Sequence, residues 1–353
     1  MKSIYFSGKA GDGKTATALG IALKLQDEGL KVSYFKPLGF QKGVAKKDDT
    51  DVRLMRDTLK LPFSSDVISP FTVHAHYLTG QYFRDEAKVA EKIEQAFQRC
   101  SEGYDVVLID GSVAPHIGFH QGLDDFSLAE RWQAAVIYIL KPEDDFELDR
   151  GLLYLDQLAC RNVPVIGCIF NNISRTQWDK ARSVYKSLVE RKEIHILGFI
   201  PRQEEIAAPT VREFYDALQG EVLAASDKMN RIVEEVVIGT MTAESALSYL
   251  RKAPNKALIT GGDRSNMALA ALETSTSVII FTGGFYPDVR VLSKAEEKGV
   301  PVILVREDTY TTIENLHSVY RSIHPQNTEA IKIVKRNIEK YVDWNAILEY
   351  VKG

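Results

Sequence analysis

The residues best suited to chemistry stand near the start of the chain. Gly8-Lys9-Ala10-Gly11-Asp12-Gly13-Lys14-Thr15 fits G-x-x-x-x-G-K-[ST] at every fixed position. An apolar run, Ile4 to Ser7, precedes it, and a helical pattern through Leu19, Leu23 and Leu25 follows. Glycines let the backbone bend until its N–H groups converge on phosphate oxygens. The positive end of the following helix falls at the same place. In such a loop the lysine, here Lys14, bridges the β- and γ-phosphates, and the hydroxyl, here of Thr15, holds Mg²⁺.

A carboxylate for that metal is offered by Val106-Val107-Leu108-Ile109-Asp110-Gly111, an apolar strand ending in an acid. Buried parallel strands deliver their last residues to the sheet edge where ligands bind. Mg²⁺ usually takes only one or two protein carboxylates beside the phosphates, so Asp110 is the expected ligand. Asp48-Asp49-Thr50-Asp51 stands just before a helical stretch, Val52 to Leu59. Such acids cap helices, and Asp51 is either a cap or a second metal ligand. His74 and His76 share one side of an extended segment, and His116 and His120 follow later. No cysteine or His-x-x-Glu partner accompanies them, which argues against zinc. They read as lining a substrate mouth or lying on the surface.

The elements that position these groups alternate between short apolar runs and helical patterns. Val32–Phe35, Val106–Ile109, Ala135–Leu140, Val165–Phe170 and Ile196–Ile200 join Ile4–Ser7 as strands. Glu86–Gln98 and Leu148–Leu158 are among the helices between them. Strands apolar on both faces and separated by helices predict a parallel sheet covered on both sides, the α/β doubly wound class. A polar stretch around Gln219–Asn230 interrupts the alternation. A smaller βα pattern follows, with strands at Lys256–Thr260, Ser277–Thr282 and Pro301–Val305. Its helices fall at Thr242–Leu250, Met267–Leu272 and Val289–Lys298, and a charged helix, about Glu329 to Val351, comes last.

At 353 residues the chain exceeds one ordinary core, and two domains are expected. Hydrophobic residues at 45% and charged residues at 26% exclude a disordered or fibrous chain. A net charge of -4 without a basic face argues against nucleic acid as a partner. Cys100, Cys160 and Cys168 lack metal-ligand spacing and read as reduced thiols. No run approaches the roughly 18 apolar residues of a membrane span, and the N-terminus lacks a secretion core, so a cytoplasmic protein with no membrane partner is expected.

Lys36-Pro37-Leu38-Gly39 follows the second strand, as a Lys-Pro segment does in dethiobiotin synthetase. With the phosphate loop, Asp49-Thr50-Asp51 and Asp110-Gly111, it makes roughly the first 215 residues resemble the dethiobiotin synthetase and cobyrinic acid a,c-diamide synthase superfamily. The match is nearest to the N-terminal region of long phosphotransacetylases. The resemblance implies ATP and Mg²⁺ as ligands. Gly8, Lys9, Gly11, Asp12, Gly13, Lys14 and Thr15 would hold the nucleotide, and Thr15, Asp51 and Asp110 the metal. It matches Lys36 to a lysine near the substrate carboxylate or carbamate, and Asn171 to an adenine-reading asparagine. Pro201 falls in the loop after the next strand. Lys9 resembles the "deviant" Walker A lysine of the MinD, ParA and nitrogenase iron-protein class, which reaches the partner's nucleotide across a dimer; the other reading is a lysine that only adds positive charge to the loop.

The chain departs from dethiobiotin synthetase in three places. That enzyme usually has glutamate where Asp110 stands, a glycine-rich loop in place of Ser112-Val113-Ala114-Pro115-His116, and no counterpart of Lys9. Biotin-type substrate specificity is therefore not expected.

Further on, Val237-Ile238-Gly239-Thr240-Met241-Thr242 leads to Thr260-Gly261-Gly262-Asp263-Arg264, then to Thr282-Gly283-Gly284 and Asp308-Thr309-Tyr310. These spaced motifs resemble a DRTGG domain. Both glycine pairs follow strands and would present backbone N–H groups at one sheet edge, with Arg264 able to pair with a phosphate or carboxylate. The other reading makes them tight turns beside a dimer interface. Asp263 and Asp308 read as metal ligands or, more commonly, as surface acids at turns.

The expected organisation is a P-loop domain over 1–218, a linker over 219–230, a DRTGG domain over 231–322 and a C-terminal helical segment over 323–353. The expected function is a Mg-ATP-binding regulatory or sensor module of the phosphotransacetylase type. It would stand alone with at most slow ATPase turnover, as a homodimer, beside a separate metabolic enzyme. The alternative is an ATP-dependent ligase that activates a carboxylate or carbamate as a mixed phosphate anhydride. Lys9, Lys14, Lys36 and Asp110 are the candidate catalytic residues.

Overall fold

The computed structural model describes residues 1–40, 49–74, 77–79, 86–203, 206, 208–317, 323, 325 and 327–353. Two residues singled out in the sequence, Asp48 and His76, lie outside them. The chain forms two compact units, Met1–Ile206 with Ile323–Gly353, and Ala207–Ser322. Among the described residues no helix is long and apolar enough to cross a membrane.

The strands of the first unit are β1 (Lys2–Ser7), β2 (Val32–Phe35), β3 (Leu38–Phe40), β4 (Phe71–Val73), β5 (Val106–Asp110), β6 (Ala135–Leu140), β7 (Val165–Ile173) and β8 (Ile196–Pro201). Six of them form a parallel sheet in the order β2-β5-β1-β6-β7-β8, while β3 pairs with β4. Every residue of β5 and β6 is buried. Such strands bury both faces, and helices on either side of the sheet supply the cover. The chain moves from β1 to one side for β2 and β5, then to the other for β6, β7 and β8. That reversal is a topological switch point, where open α/β sheets bind ligands beyond the strand ends. The loop Gly8–Gly13 leaves β1 there. This is the doubly wound, mostly parallel sheet expected from the sequence.

The single C-terminal helix expected from the sequence is two helices, Thr328–Tyr341 and Trp344–Lys352. Val342 turns extended, with φ -118° and ψ 137°, and bridges Gly198 of β8. Asp343 donates its N–H to the Leu197 carbonyl at 2.6 Å and caps the second helix by accepting from the Ala346 N–H. Ala330, Val334 and Ile338, each four residues apart, bury one stripe of the first helix in this unit's core.

The second unit carries β9 (Glu221–Ala224), β10 (Glu235–Ile238), β11 (Lys256–Gly261), β12 (Thr276–Thr282) and β13 (Val302–Leu304), in the order β10-β11-β12-β13-β9. The first four are parallel and β9 runs antiparallel at the edge. The stretch 219–230, read as a linker, therefore supplies an edge strand. Its alternation is faint because only Ala224 of β9 is buried. The preceding helix Val211–Leu218, placed in the first domain by the sequence reading, buries Val211, Phe214 and Leu218 in the second unit's core.

Candidate functional site

The loop after β1 enters the helix Lys14–Asp27 through Gly13. This residue has φ 90°, and no side chain caps the helix. The first N–H groups of a helix have no intrahelical acceptor, and here no cap side chain meets them. The rest of the loop is braced from within. The Lys9 N–H donates to Asp12 Oδ2 at 2.9 Å, and the Asp12 N–H to the Lys9 carbonyl at 3.1 Å. The Ala10 N–H donates to the Val113 carbonyl at 2.7 Å. Asn171, on β7, donates Nδ2 to the Asp12 carbonyl at 2.7 Å. The backbone N–H groups of Gly11 and Gly13 donate to no acceptor among the described residues.

Lys14 is buried and folds over the loop, donating from Nζ to the Gly8 carbonyl at 2.9 Å and the Lys9 carbonyl at 3.2 Å. An ammonium has three donors, so one remains. Lys9 points elsewhere. Its Nζ lies 2.8 Å from Glu147 and 3.3 Å from Glu143.

A polar corner lies beside the helix start. The Thr15 hydroxyl donates to Asp110 Oδ2 at 2.7 Å, and the Tyr34 phenol donates to the same oxygen at 2.8 Å. Asp110 is 1% exposed, and its Oδ1 is buried without a partner. Lys36 lies 3.0 Å from both Asp49 and Asp51. Asp49 accepts from the N–H groups of Asp51 and Val52 and is the helix cap. The sequence left capping open for Asp51, whose carboxylate instead meets Lys36.

Electrostatics tie the corner together. Burial alone would lower the Lys36 pKa, but Asp51 and Asp49 overcome it and hold the ammonium well above the ordinary lysine value. Burial pushes Asp51 up, and Lys36 outweighs it, leaving Asp51 below the usual range. At Asp110 burial prevails over the pull of Lys36 and Lys14, and the pKa is raised. An unpaired buried carboxylate oxygen is costly unless something meets it. The orphan Oδ1 of Asp110, with the Thr15 hydroxyl and Asp51 nearby, fits a hard divalent cation. Among the described residues no group of three or more His, Cys, Asp or Glu could hold a metal alone; Mg²⁺ completed by phosphate and water needs fewer.

Asp125 escaped the sequence reading. It is 2% exposed and accepts from Ser7 Oγ at 2.7 Å, Tyr5 Oη at 3.1 Å and the Ser112 N–H at 3.2 Å. It thus joins the strand entering the phosphate loop to the loop after Asp110. Gly111 makes room for it, because a Cβ there would stand 2.4 Å from Asp125 Oδ2. A glycine directly after the strand's acid was the available signal. Pro201 ends β8 half-buried, opposite Ile173 of β7. His116 pairs with the Tyr154 hydroxyl at 2.8 Å, the His120 ring lies beside Tyr77, and His74 is exposed.

In the second unit, Gly261 ends β11, Gly262 follows, and Thr282 ends β12. The glycine pair after β12 does not present open donors. Gly283 donates to the Glu307 carbonyl at 2.7 Å and Gly284 to the Val305 carbonyl at 2.9 Å. The loop after β13 consumes both N–H groups, so this pair is a tight turn. Arg264 donates to the Thr240 carbonyl at 3.0 Å and reaches that of Met241, bracing the loop after β10. Thr282 and Thr309 join their hydroxyls at 2.8 Å. Asp308 caps its helix through the Thr311 N–H, and Asp263 is exposed.

An AAA domain family model matches residues 7–210, and a DRTGG domain model matches residues 213–319. A phosphate acetyltransferase of Nitrosomonas europaea is 28% identical over 348 residues, covering 94% of this chain and 49% of that protein. One from Pseudomonas putida is 26% identical over 352 residues, with 94% and 49% covered. The chain spans about half the length of these curated relatives. Among solved structures, cobyrinic acid a,c-diamide synthase from Mycobacterium smegmatis with bound ADP and magnesium is 18% identical, with a TM-score of 0.38 over 58% of this chain and 88% of that one.

Proposed function

The chain belongs to the AAA domain family, with a DRTGG domain behind that domain, and from this premise we propose that it binds Mg-ATP and serves as a nucleotide-responsive regulatory module with at most slow turnover. One observation carries the reading. The helix Lys14–Asp27 begins uncapped behind a loop whose Gly11 and Gly13 N–H groups are unspent, with the Lys14 ammonium over it. That arrangement suits a polyphosphate.

Gly11, Gly13, Lys14 and Thr15 bind the phosphates, Asn171 and Asp12 hold the loop in shape, and Asp110 with Thr15 and Asp51 receives the cation. Held there, Mg²⁺ would supply charge neutralisation to the phosphates. Lys36, clamped between Asp49 and Asp51, steadies the corner. The ligase alternative asks Lys36 to meet an acceptor carboxylate, yet its ammonium is already committed to two of the chain's own, and this favours the regulatory reading. The relationship to phosphate acetyltransferases points to an acetyl-transfer enzyme as the regulated partner. A homodimer in which Lys9 reaches the other copy's nucleotide belongs to the same proposal.

Calorimetry of wild type and Lys14→Ala with ATP, with and without Mg²⁺, tests it. The variant should bind at least tenfold more weakly, since hydrogen bonds to charged groups contribute about 1.5–3 kcal/mol. Equal affinity of the two proteins would overturn the site. Phosphate release at several protein concentrations then separates a slow, self-associating ATPase from a silent sensor.

A further inference from the structure

Tyr34 stands in β2, and Lys36 directly follows that strand. Both reach the polar corner. Tyr34 is 0% exposed, and its phenol donates to Asp110 Oδ2 at 2.8 Å. Thr15 donates to that same oxygen at 2.7 Å. A carboxylate can exchange its two oxygens by rotation, and two donors on one of them oppose that exchange. The other, Oδ1, is left buried and unpartnered.

We propose that Tyr34 is a positioning residue, which pins Oδ2 of Asp110 so that Oδ1 is the oxygen offered to a divalent cation. The inference rests on the Mg-nucleotide reading above. Thr15 has a second task in that reading, since its oxygen also meets the cation, whereas Tyr34 serves Asp110 alone. Tyr34 needs to touch neither nucleotide nor metal. Metal ligands are commonly oriented by such outer hydrogen bonds, and a buried phenol is expensive without one.

The test compares wild type, Tyr34→Phe and Ser33→Ala. Ser33 neighbours Tyr34 on β2, and its buried hydroxyl has no partner. Mn²⁺, standing in for Mg²⁺, is titrated by electron paramagnetic resonance in the presence of ADP, and ADP affinity in EDTA is measured by calorimetry. Tyr34→Phe should weaken Mn²⁺ about tenfold while leaving metal-free ADP affinity and the melting temperature near wild type. Ser33→Ala should alter neither. Equal Mn²⁺ affinity in wild type and Tyr34→Phe overturns the inference, and so does a matching loss of ADP affinity in EDTA, which would mark a general loosening of the pocket. A wild type that binds ADP without responding to Mn²⁺ removes the underlying metal reading and the inference with it.

Discussion

The Lys9 ammonium sits 2.8 Å from the Glu147 carboxylate, on the first turn of the helix Asp145–Cys160, and Glu143 approaches it at 3.3 Å. The lysine is thereby held within its own chain. If Lys9 acts across a dimer, it must first leave these acids. Glu147→Gln should favour ATP-dependent self-association by about two- to fivefold, because partly exposed pairs contribute up to about 1 kcal/mol. Sedimentation velocity with a non-hydrolysable ATP analogue reads this directly. A variant that associates no more readily than wild type would leave Lys9 as a local charge beside the loop.

Asn171 offers a choice between reading adenine and bracing the loop. Its amide nitrogen already donates to the Asp12 carbonyl, and a Cβ on Gly13 would lie 2.1 Å from that nitrogen. Bracing predicts that Asn171→Ala weakens ATP and GTP alike, by about five- to tenfold, the worth of one hydrogen bond of roughly 1 kcal/mol. Calorimetry with both nucleotides decides. A loss confined to ATP would assign the side chain to the base.

The contrast between loop and corner shows what a sequence exposes. The phosphate loop is contiguous, so the spacing Gly8, Gly13, Lys14 already implied a strand, a bend and a helix start. Asp110 was visible because it ends an apolar run. Tyr34 and Asp125 were not. Their bonds span 76 and 118 residues; the first exists because β2 lies beside β5, the second because the helix Asp125–Arg131 begins beside the end of β1. Read alone, Tyr34 is one more aromatic in a buried strand, and Asp124-Asp125 is one more helix start. The pair Gly283-Gly284 stayed open between exposed donors and a tight turn for a related reason. The loop after β13 decides for the turn by supplying Val305 and Glu307 as acceptors. The edge strand β9 was hidden by its exposure, since a half-wet, four-residue strand carries little alternation.

Gly111 has no room for a side chain. A Cβ would stand 2.4 Å from Asp125 Oδ2 and 2.8 Å from the Phe6 carbonyl. One of these is backbone, so relief must come from Asp125, which would lose Ser7, Tyr5 or Ser112. Gly111→Ala should cost about 1–3 kcal/mol, the range for overpacking a tight core. Urea unfolding measures the loss, and nucleotide affinity should fall with it because Ser7 leads directly into the phosphate loop. Wild-type stability in this variant would mean that Asp125 is free to move.

Two buried carboxylates, Asp12 in the loop and Asp125 beside it, should make stability fall as pH rises. Burial raises Asp12 to about 6 despite the Lys9 N–H and the charges of Lys14, Lys9 and Lys141. It raises Asp125 to about 7 against the hydrogen bonds of Ser7, Ser112 and Tyr5 and the charge of Lys14. Unfolded, both titrate near 3.9, the ordinary aspartate value. Between about pH 4 and 7 the folded chain therefore holds protons that the unfolded chain has released, and unfolding free energy declines across that window. Below it both states are protonated, and above it both are ionised, so the slope fades at each end. Depressed carboxylates such as Asp51 and Asp288 act in the opposite sense, but at lower pH. Asp125→Asn removes one titrating group, and its unfolding free energy should lose about 1–3 kcal/mol less than wild type between pH 5 and 7.5. Urea melts of the two proteins at those pH values isolate the difference, whatever other groups contribute. Parallel curves would mean that Asp125 is ionised throughout and that its hydrogen bonds outweigh its burial.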